Sequence, residues 1–126
     1  MPEKKILIVD DSATMRQLLI MALSKLDGVG RLAVVEACDG EDAFAKFTSE
    51  RFDLVLTDIK MPNLDGLELI KRIRYELGER IVPIVIISTK GEEGDVQKGL
   101  MLGANEYMLK PISTTRLKQV ITQLLA

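Results

Sequence analysis

Three carboxylates, a hydroxyl and an ammonium group stand where strand-like apolar runs end, a placement that could hold a hard cation and move a phosphoryl group. The run Ile6-Leu7-Ile8-Val9 ends on Asp10-Asp11, and Leu54-Val55-Leu56-Thr57 ends on Asp58. Ile84-Val85-Ile86-Ile87 ends on Ser88-Thr89, and Tyr107-Met108-Leu109 ends on Lys110-Pro111. If the runs are parallel strands of one sheet, these groups meet at one edge, where open α/β sheets bind their ligands. Mg²⁺ takes oxygen ligands and is usually held by one or two carboxylates, waters and a phosphate. Asp10, Asp11 and Asp58 suit that need, with the backbone carbonyl near Lys60 as a further candidate ligand. A carboxylate such as Asp58 can attack a phosphoryl donor and become an aspartyl-phosphate. Charge on the three equatorial oxygens must then be neutralised. The cation would take one oxygen, the Ser88 hydroxyl a second and Lys110 the third.

Each residue also has an ordinary reading. Asp10-Asp11-Ser12 suits a helix N-terminus, where the dipole favours acids. Asp58 could cap a turn, Ser88 could end a strand, and Lys110 could lie on the surface. Four such coincidences at the same end of four strands are far rarer than any one. No calcium-loop spacing follows Asp58. Neither G-x-G-x-x-G nor G-x-x-x-x-G-K-[ST] occurs, so nucleotide binding has no motif behind it.

The elements that must position these groups alternate five times. Ser12 is placed to cap a helix over Ala13–Leu26, with Met15, Leu18, Leu19, Ala22 and Leu26 at helical spacing. Gly28 and Gly30 stop it. Leu32–Ala37 reads as a strand, Asp39-Gly40 as a turn, and Glu41–Glu50 as a helix with Ala43, Phe44 and Phe47 inward. After Asp58, Met61–Gly66 is a loop with two turn signals. Leu67–Leu77 is an amphipathic helix with Leu67, Ile70 and Ile73 inside and Lys71, Arg72 and Arg74 outside. Gly91–Gly94 reads as a mobile loop before a short helix over Asp95–Leu102. The strand Glu106–Leu109 and a helix over Thr114–Leu125 close the chain. Near-continuous Ile/Val/Leu strands between helices indicate a parallel sheet covered on both faces. The fold class is a single (βα)5 domain over residues 1–126.

A chain of 126 residues can bury roughly two-thirds of its unfolded surface. A net charge of -2 argues against direct nucleic-acid binding. No apolar run is long enough for a membrane span and no signal peptide precedes the first strand, so the cytoplasm is the expected location. The single Cys38 excludes an internal disulfide and is expected to be a small buried or half-buried residue. The six methionines are expected to fill the core. With no histidine, the chain cannot use a serine–histidine triad or carry phosphohistidine, so a held phosphoryl group sits on a carboxylate or hydroxyl.

Over its whole length the chain resembles the receiver domain of two-component response regulators. The resemblance rests on Ile8-Val9-Asp10-Asp11-Ser12, on Asp58-Ile-Lys-Met-Pro-Asn-Leu-Asp-Gly66, on Ile87-Ser88-Thr89 and on Tyr107-Met-Leu-Lys110-Pro111. Together these motifs are highly specific. The resemblance implies a doubly wound, flavodoxin-like (CheY-like) sheet in the order 2-1-3-4-5. It implies that Asp58 is the phosphoacceptor for a sensor histidine kinase and that Asp11, Asp10 and Asp58 hold Mg²⁺, for which Mn²⁺ can substitute. Ser88, with Thr89 beside it, would bond the phosphoryl group. Lys110 would neutralise it through a side chain preceding a cis bond to Pro111. Tyr107 would be the aromatic switch residue, against its ordinary reading as an edge-strand tyrosine. The face of the fourth helix, fifth strand and fifth helix, roughly Asp95–Leu125, would then meet a downstream protein. The expected state is a monomer, with dimerisation on phosphorylation open.

Two positions depart from the enteric chemotaxis pattern. Lys60 and Lys90 stand two residues past Asp58 and Ser88, where amide and acid are found there, and are expected to tune the lifetime of the aspartyl-phosphate. The chain reads as a stand-alone signalling protein rather than an enzyme, catalysing only its own phosphorylation and dephosphorylation. Met1 fits a complete protein, and Asp11-Ser-Ala-Thr-Met-Arg16 leans towards chemotaxis. A haloacid-dehalogenase-type phosphatase uses similar groups, but its nucleophile ends the first strand in a D-x-D motif, an order reversed here. Binding modules that are never phosphorylated usually lose an acid or the lysine, and all are retained.

Overall fold

Ile, Val and Leu dominate the segments that become strands because their branched side chains pack well on a pleated surface. In the computed structural model, which describes residues 3–125, these segments form five parallel strands. They are β1 (Lys4–Val9), β2 (Leu32–Ala37), β3 (Leu54–Thr57), β4 (Ile84–Ser88) and β5 (Glu106–Leu109), in the order β2-β1-β3-β4-β5. The helices between and after them are α1 (Ala13–Ser24), α2 (Gly40–Ser49), α3 (Gly66–Lys71), α4 (Glu93–Leu102) and α5 (Thr114–Leu125). A π-helical turn, Arg72–Glu76, continues α3 without a break. The expected (βα)5 fold and its strand order are therefore observed.

The period-two alternation of each strand divides the core into two layers. Ile6, Ile8, Leu54, Leu56, Val85 and Ile87 pack with Leu19 and Leu23 of α1 and Leu117, Val120 and Ile121 of α5. Leu7, Val9, Val55, Ile84 and Ile86 pack on the other face with Ala43 of α2, Leu69 and Ile70 of α3 and Val96 of α4. Each Val, Leu or Ile side chain among these contributes about 1.5–3 kcal/mol by leaving water. The three central strands are thus buried on both faces. The outer strands β2 and β5 are not, because each has a neighbour on one side only.

Side-chain caps set the helix starts. Ser12, Asp39 and Asp65 accept hydrogen bonds from the backbone N–H of Met15, Asp42 and Glu68. The α1 helix ends at Ser24, two residues before the expected stop. The α4 helix begins at Glu93, so Glu93 and Gly94 belong to it and not to the expected loop.

Several expected environments differ. Arg74 is buried, not outside: it falls four residues after Ile70 on the inward stripe. Its guanidinium reaches the carbonyls of Gly103 and Glu79 and the Asn105 side chain at 3.0–3.1 Å. Leu18 and Met21 lie exposed on α1, and Leu23 takes the inward place. Among the methionines Met108 is buried, Met15 and Met61 pack at the edges of the core, and Met101 is 83% exposed on α4. Met1 lies outside the described residues. Cys38 is exposed, because it falls past the end of edge strand β2, where its backbone N–H bonds to Asp42.

Candidate functional site

The sheet register brings the strand ends level. Val9 pairs with Thr57, so the next residues, Asp10 and Asp58, leave neighbouring strands side by side. Ser88 pairs with Leu109, and the Lys110 N–H donates to the Ser88 carbonyl at 2.8 Å. The loop after β3 returns so closely that a Cβ on Gly66 would collide with the Asp58 carbonyl. The Gly66 N–H instead reaches the Ile59 carbonyl at 2.8 Å, which locks the backbone beside Asp58.

Carboxylate oxygens of Asp10, Asp11 and Asp58 all lie within 4.8 Å of one another. Asp10 and Asp58 are buried and Asp11 is exposed. The Lys110 ammonium bridges the buried pair, 3.1 Å from Asp10 Oδ2 and 3.4 Å from Asp58 Oδ2. The other oxygens are also engaged: Asp10 Oδ1 accepts from the Ser12 N–H and Asp58 Oδ1 from the Ile59 N–H, each at 2.8 Å.

These contacts act unequally on the two partners. Burial raises the Asp58 pKa above the usual carboxylate value; Lys110 and the Ile59 N–H oppose the rise, and the Asp10 charge adds to it. Burial works against the Lys110 ammonium, but Asp58 and Asp10 outweigh it and raise its pKa. The asymmetry follows from the geometry: Lys110 faces two anions, whereas Asp58 faces one cation and one like charge.

The β4 side is different. Ser88 Oγ is buried and has no hydrogen-bond partner among the described residues. Next to it, the Thr89 N–H and hydroxyl both donate to Glu92 Oε1, at 2.7 and 2.8 Å. Lys60 is bound across to α4, where Asp95 holds its ammonium at 3.1 Å. Lys90 is exposed, Tyr107 is 38% exposed on β5, and the Lys110–Pro111 peptide bond is cis. The fold therefore gathers Asp10, Asp11, Asp58 and Lys110 into one cluster with the Ser88 hydroxyl at the same sheet edge. The Lys60 ammonium is engaged elsewhere.

The donor set fits a hard divalent cation, since the three clustered side-chain ligands are all carboxylates and two of them leave adjacent strands together. Such an ion would supply charge neutralisation for a phosphoryl oxygen. The buried, unpartnered Ser88 hydroxyl fits a second oxygen. Sequence reasoning missed Arg16, whose bond to Glu36 joins α1 to β2, and Glu92, whose partner Thr89 stands only three residues away in a T-x-x-E spacing that could have signalled it. Arg74 had a signal in its four-residue spacing from Ile70.

Residues 6–122 match the family model described as the response regulator receiver domain. The chain is 36% identical over 122 residues to a chemotaxis protein CheY homolog of Campylobacter jejuni, covering 96% of this chain and 92% of that one. It is 39% identical over 111 residues to the transcriptional regulatory protein ResD of Bacillus subtilis, covering 88% of this chain but 43% of that protein. The chain thus spans less than half of that regulator. Among solved structures, the chemotaxis response regulator CheY4 of Vibrio cholerae superposes with a TM-score of 0.84 at 29% identity, covering 98% of this chain and 99% of that one.

Proposed function

Because the chain belongs to the response regulator receiver family, we propose that it accepts a phosphoryl group on Asp58 from a histidine kinase and signals by a change of conformation. One observation carries this reading: Asp58 lies in ionic reach of Lys110 and within ligand distance of Asp10 and Asp11, at the sheet edge that holds the partnerless Ser88 hydroxyl. An Asp58 oxygen attacks phosphorus as the donor's bond to it breaks and the electron pair leaves with the donor. Lys110 stays paired with Asp10 while it neutralises the arriving charge. Ser88 gains the hydrogen bond it lacks.

That gain makes the phosphorylated form favour an inward Ser88, since a ligand shifts an equilibrium only by its differential interaction with the two states. Tyr107, half-exposed on the neighbouring strand, turns inward with it. The output surface is the face of α4, β5 and α5, where Met101, Tyr107 and Leu109 are exposed. Likeness to the chemotaxis homolog supports a cytoplasmic, motility-type role with output by protein contact. No described helix is long and apolar enough to cross a membrane.

Intact mass after incubation with Mg²⁺ and acetyl phosphate tests the reading. The wild-type chain gains one phosphoryl group, and the gain disappears with a chelator or with Asp58→Asn. A phosphoryl group that persists in Asp58→Asn contradicts the assignment.

A further inference from the structure

Asp11 is the exposed member of the acid cluster, and no hydrogen bond to its side chain is present among the described residues. Its carboxylate is therefore placed by its backbone, above all by the peptide that joins it to Asp10. That peptide carbonyl, Asp10 O, accepts a 2.7 Å hydrogen bond from Arg16 Nη1. The same guanidinium donates through Nε to Glu36 Oε1 at 2.9 Å. Glu36 lies on β2, and the next residue, Ala37, accepts from the Asp10 N–H at 3.1 Å. Both polar groups of the Asp10 backbone are thus tied to one short stretch of β2, the N–H directly and the carbonyl through Arg16.

Arginine suits this place for a physical reason. Its planar fork serves two acceptors in fixed relative positions, which a lysine ammonium does not. A guanidinium this near the acids would also repel a divalent cation, but Glu36 neutralises it. Only 17% of the Arg16 side chain is exposed, so water competes weakly at the guanidinium, while its partner Glu36 is 38% exposed.

We propose that Arg16, supported by Glu36, is a positioning residue for the divalent cation: it fixes the Asp10–Asp11 peptide against β2 and so aims the Asp11 carboxylate at the point shared with Asp10 and Asp58. It does not touch the cation. This inference rests on reading the acid cluster as the cation site. Groups that hold metal ligands in place typically contribute about 10–100-fold to affinity.

Calorimetric Mg²⁺ titration of the full chain, alongside the melting temperature of each metal-free protein, tests it. Arg16→Met weakens Mg²⁺ binding at least 10-fold while the metal-free melting temperature stays within a few degrees of wild type. Arg16→Lys restores part of the affinity, because an ammonium reaches one acceptor. Glu36→Gln loses less than Arg16→Met, since its amide oxygen still accepts from Nε. Equal Mg²⁺ affinity in wild type and Arg16→Met overturns the proposal. If Arg16→Met does not fold, unchanged affinity in both Arg16→Lys and Glu36→Gln overturns it. A wild-type chain that binds no Mg²⁺ overturns the reading of the acid cluster itself.

Discussion

On the β1–β3 side of the site, Asp10 and Asp58 are paired with the Lys110 ammonium, which reaches across from the end of β5, and backbone N–H groups take up the remaining oxygens of both acids. On the β4–β5 side, Ser88 is buried with nothing to bond, Thr89 is tied outward to Glu92, and Tyr107 faces solvent. One half is already formed around charge; the other carries an unmet hydrogen bond and a neighbouring contact that can be exchanged. A buried hydroxyl without a partner costs about 1–3 kcal/mol. That cost is removed when a phosphoryl oxygen arrives, so the unfinished half is the half that can respond.

Removing the cation from the formed half should have the largest effect. Lys110→Ala leaves two buried acids facing each other, and phosphorylation by acetyl phosphate is expected to slow about 100-fold. The fold should lose ~2 kcal/mol, less than a fully buried pair because Lys110 keeps some contact with water. Denaturant melts and timed mass spectra check both numbers.

Ser88→Ala separates the halves. Phosphorylation should persist at a rate reduced by about 10-fold, while stability holds or rises by up to ~1 kcal/mol because the unmet hydroxyl is gone. A stability loss beyond 1 kcal/mol would show that Ser88 has a partner after all.

Asp58→Asn should raise the melting temperature of the metal-free chain at pH 7. The sign follows from its raised pKa: the folded state favours protonated Asp58, so its contribution is present below pH 3.8 and is lost as pH rises through the folded value. The advantage of the amide should therefore shrink as pH falls towards 3.8. Lys110 works oppositely. Its stabilising effect is full below pH 10.5 and fades above its raised value.

The smallest changes belong to the lysines at the rim. Lys60→Asn and Lys90→Glu are expected to alter the dephosphorylation rate by a few-fold, measured by decay of the phosphorylated mass. Lys60→Asn also frees Asp95 and α4. Unchanged decay in both variants removes any lifetime role for these residues.

The strand ends were legible in the sequence because each chemical group follows an uninterrupted apolar run, and parallel strands bring equivalent ends together. The strand order was not; it came with the family resemblance. Within helices, residue type misled. Arg74 reads as an outside residue for its charge, although it stands four residues after Ile70, and its burial depends on carbonyls at Gly103 and Glu79 that no local pattern displays. Leu18, Met21 and Met101 read as core residues for their apolarity, although α1 and α4 each have only one face against the sheet. In the site, Asp10, Asp11, Asp58, Ser88 and Lys110 could be read from position. The bonds of Arg16 to Asp10 and Glu36 depend on side-chain directions that appear only once the sheet edge is assembled, whereas that of Glu92 to Thr89 spans three residues of one loop.

Amide hydrogen exchange with and without Mg²⁺ and beryllofluoride, a stable phosphoryl mimic, tests the division of the site most directly. The mimic should change exchange strongly over Ser88–Glu92 and at Tyr107, leave Asp10–Arg16 nearly as Mg²⁺ alone leaves it, and lose the former effect in Ser88→Ala. Equal changes on both sides, or a Ser88→Ala chain that responds like wild type, would contradict a site with one formed half and one responsive half.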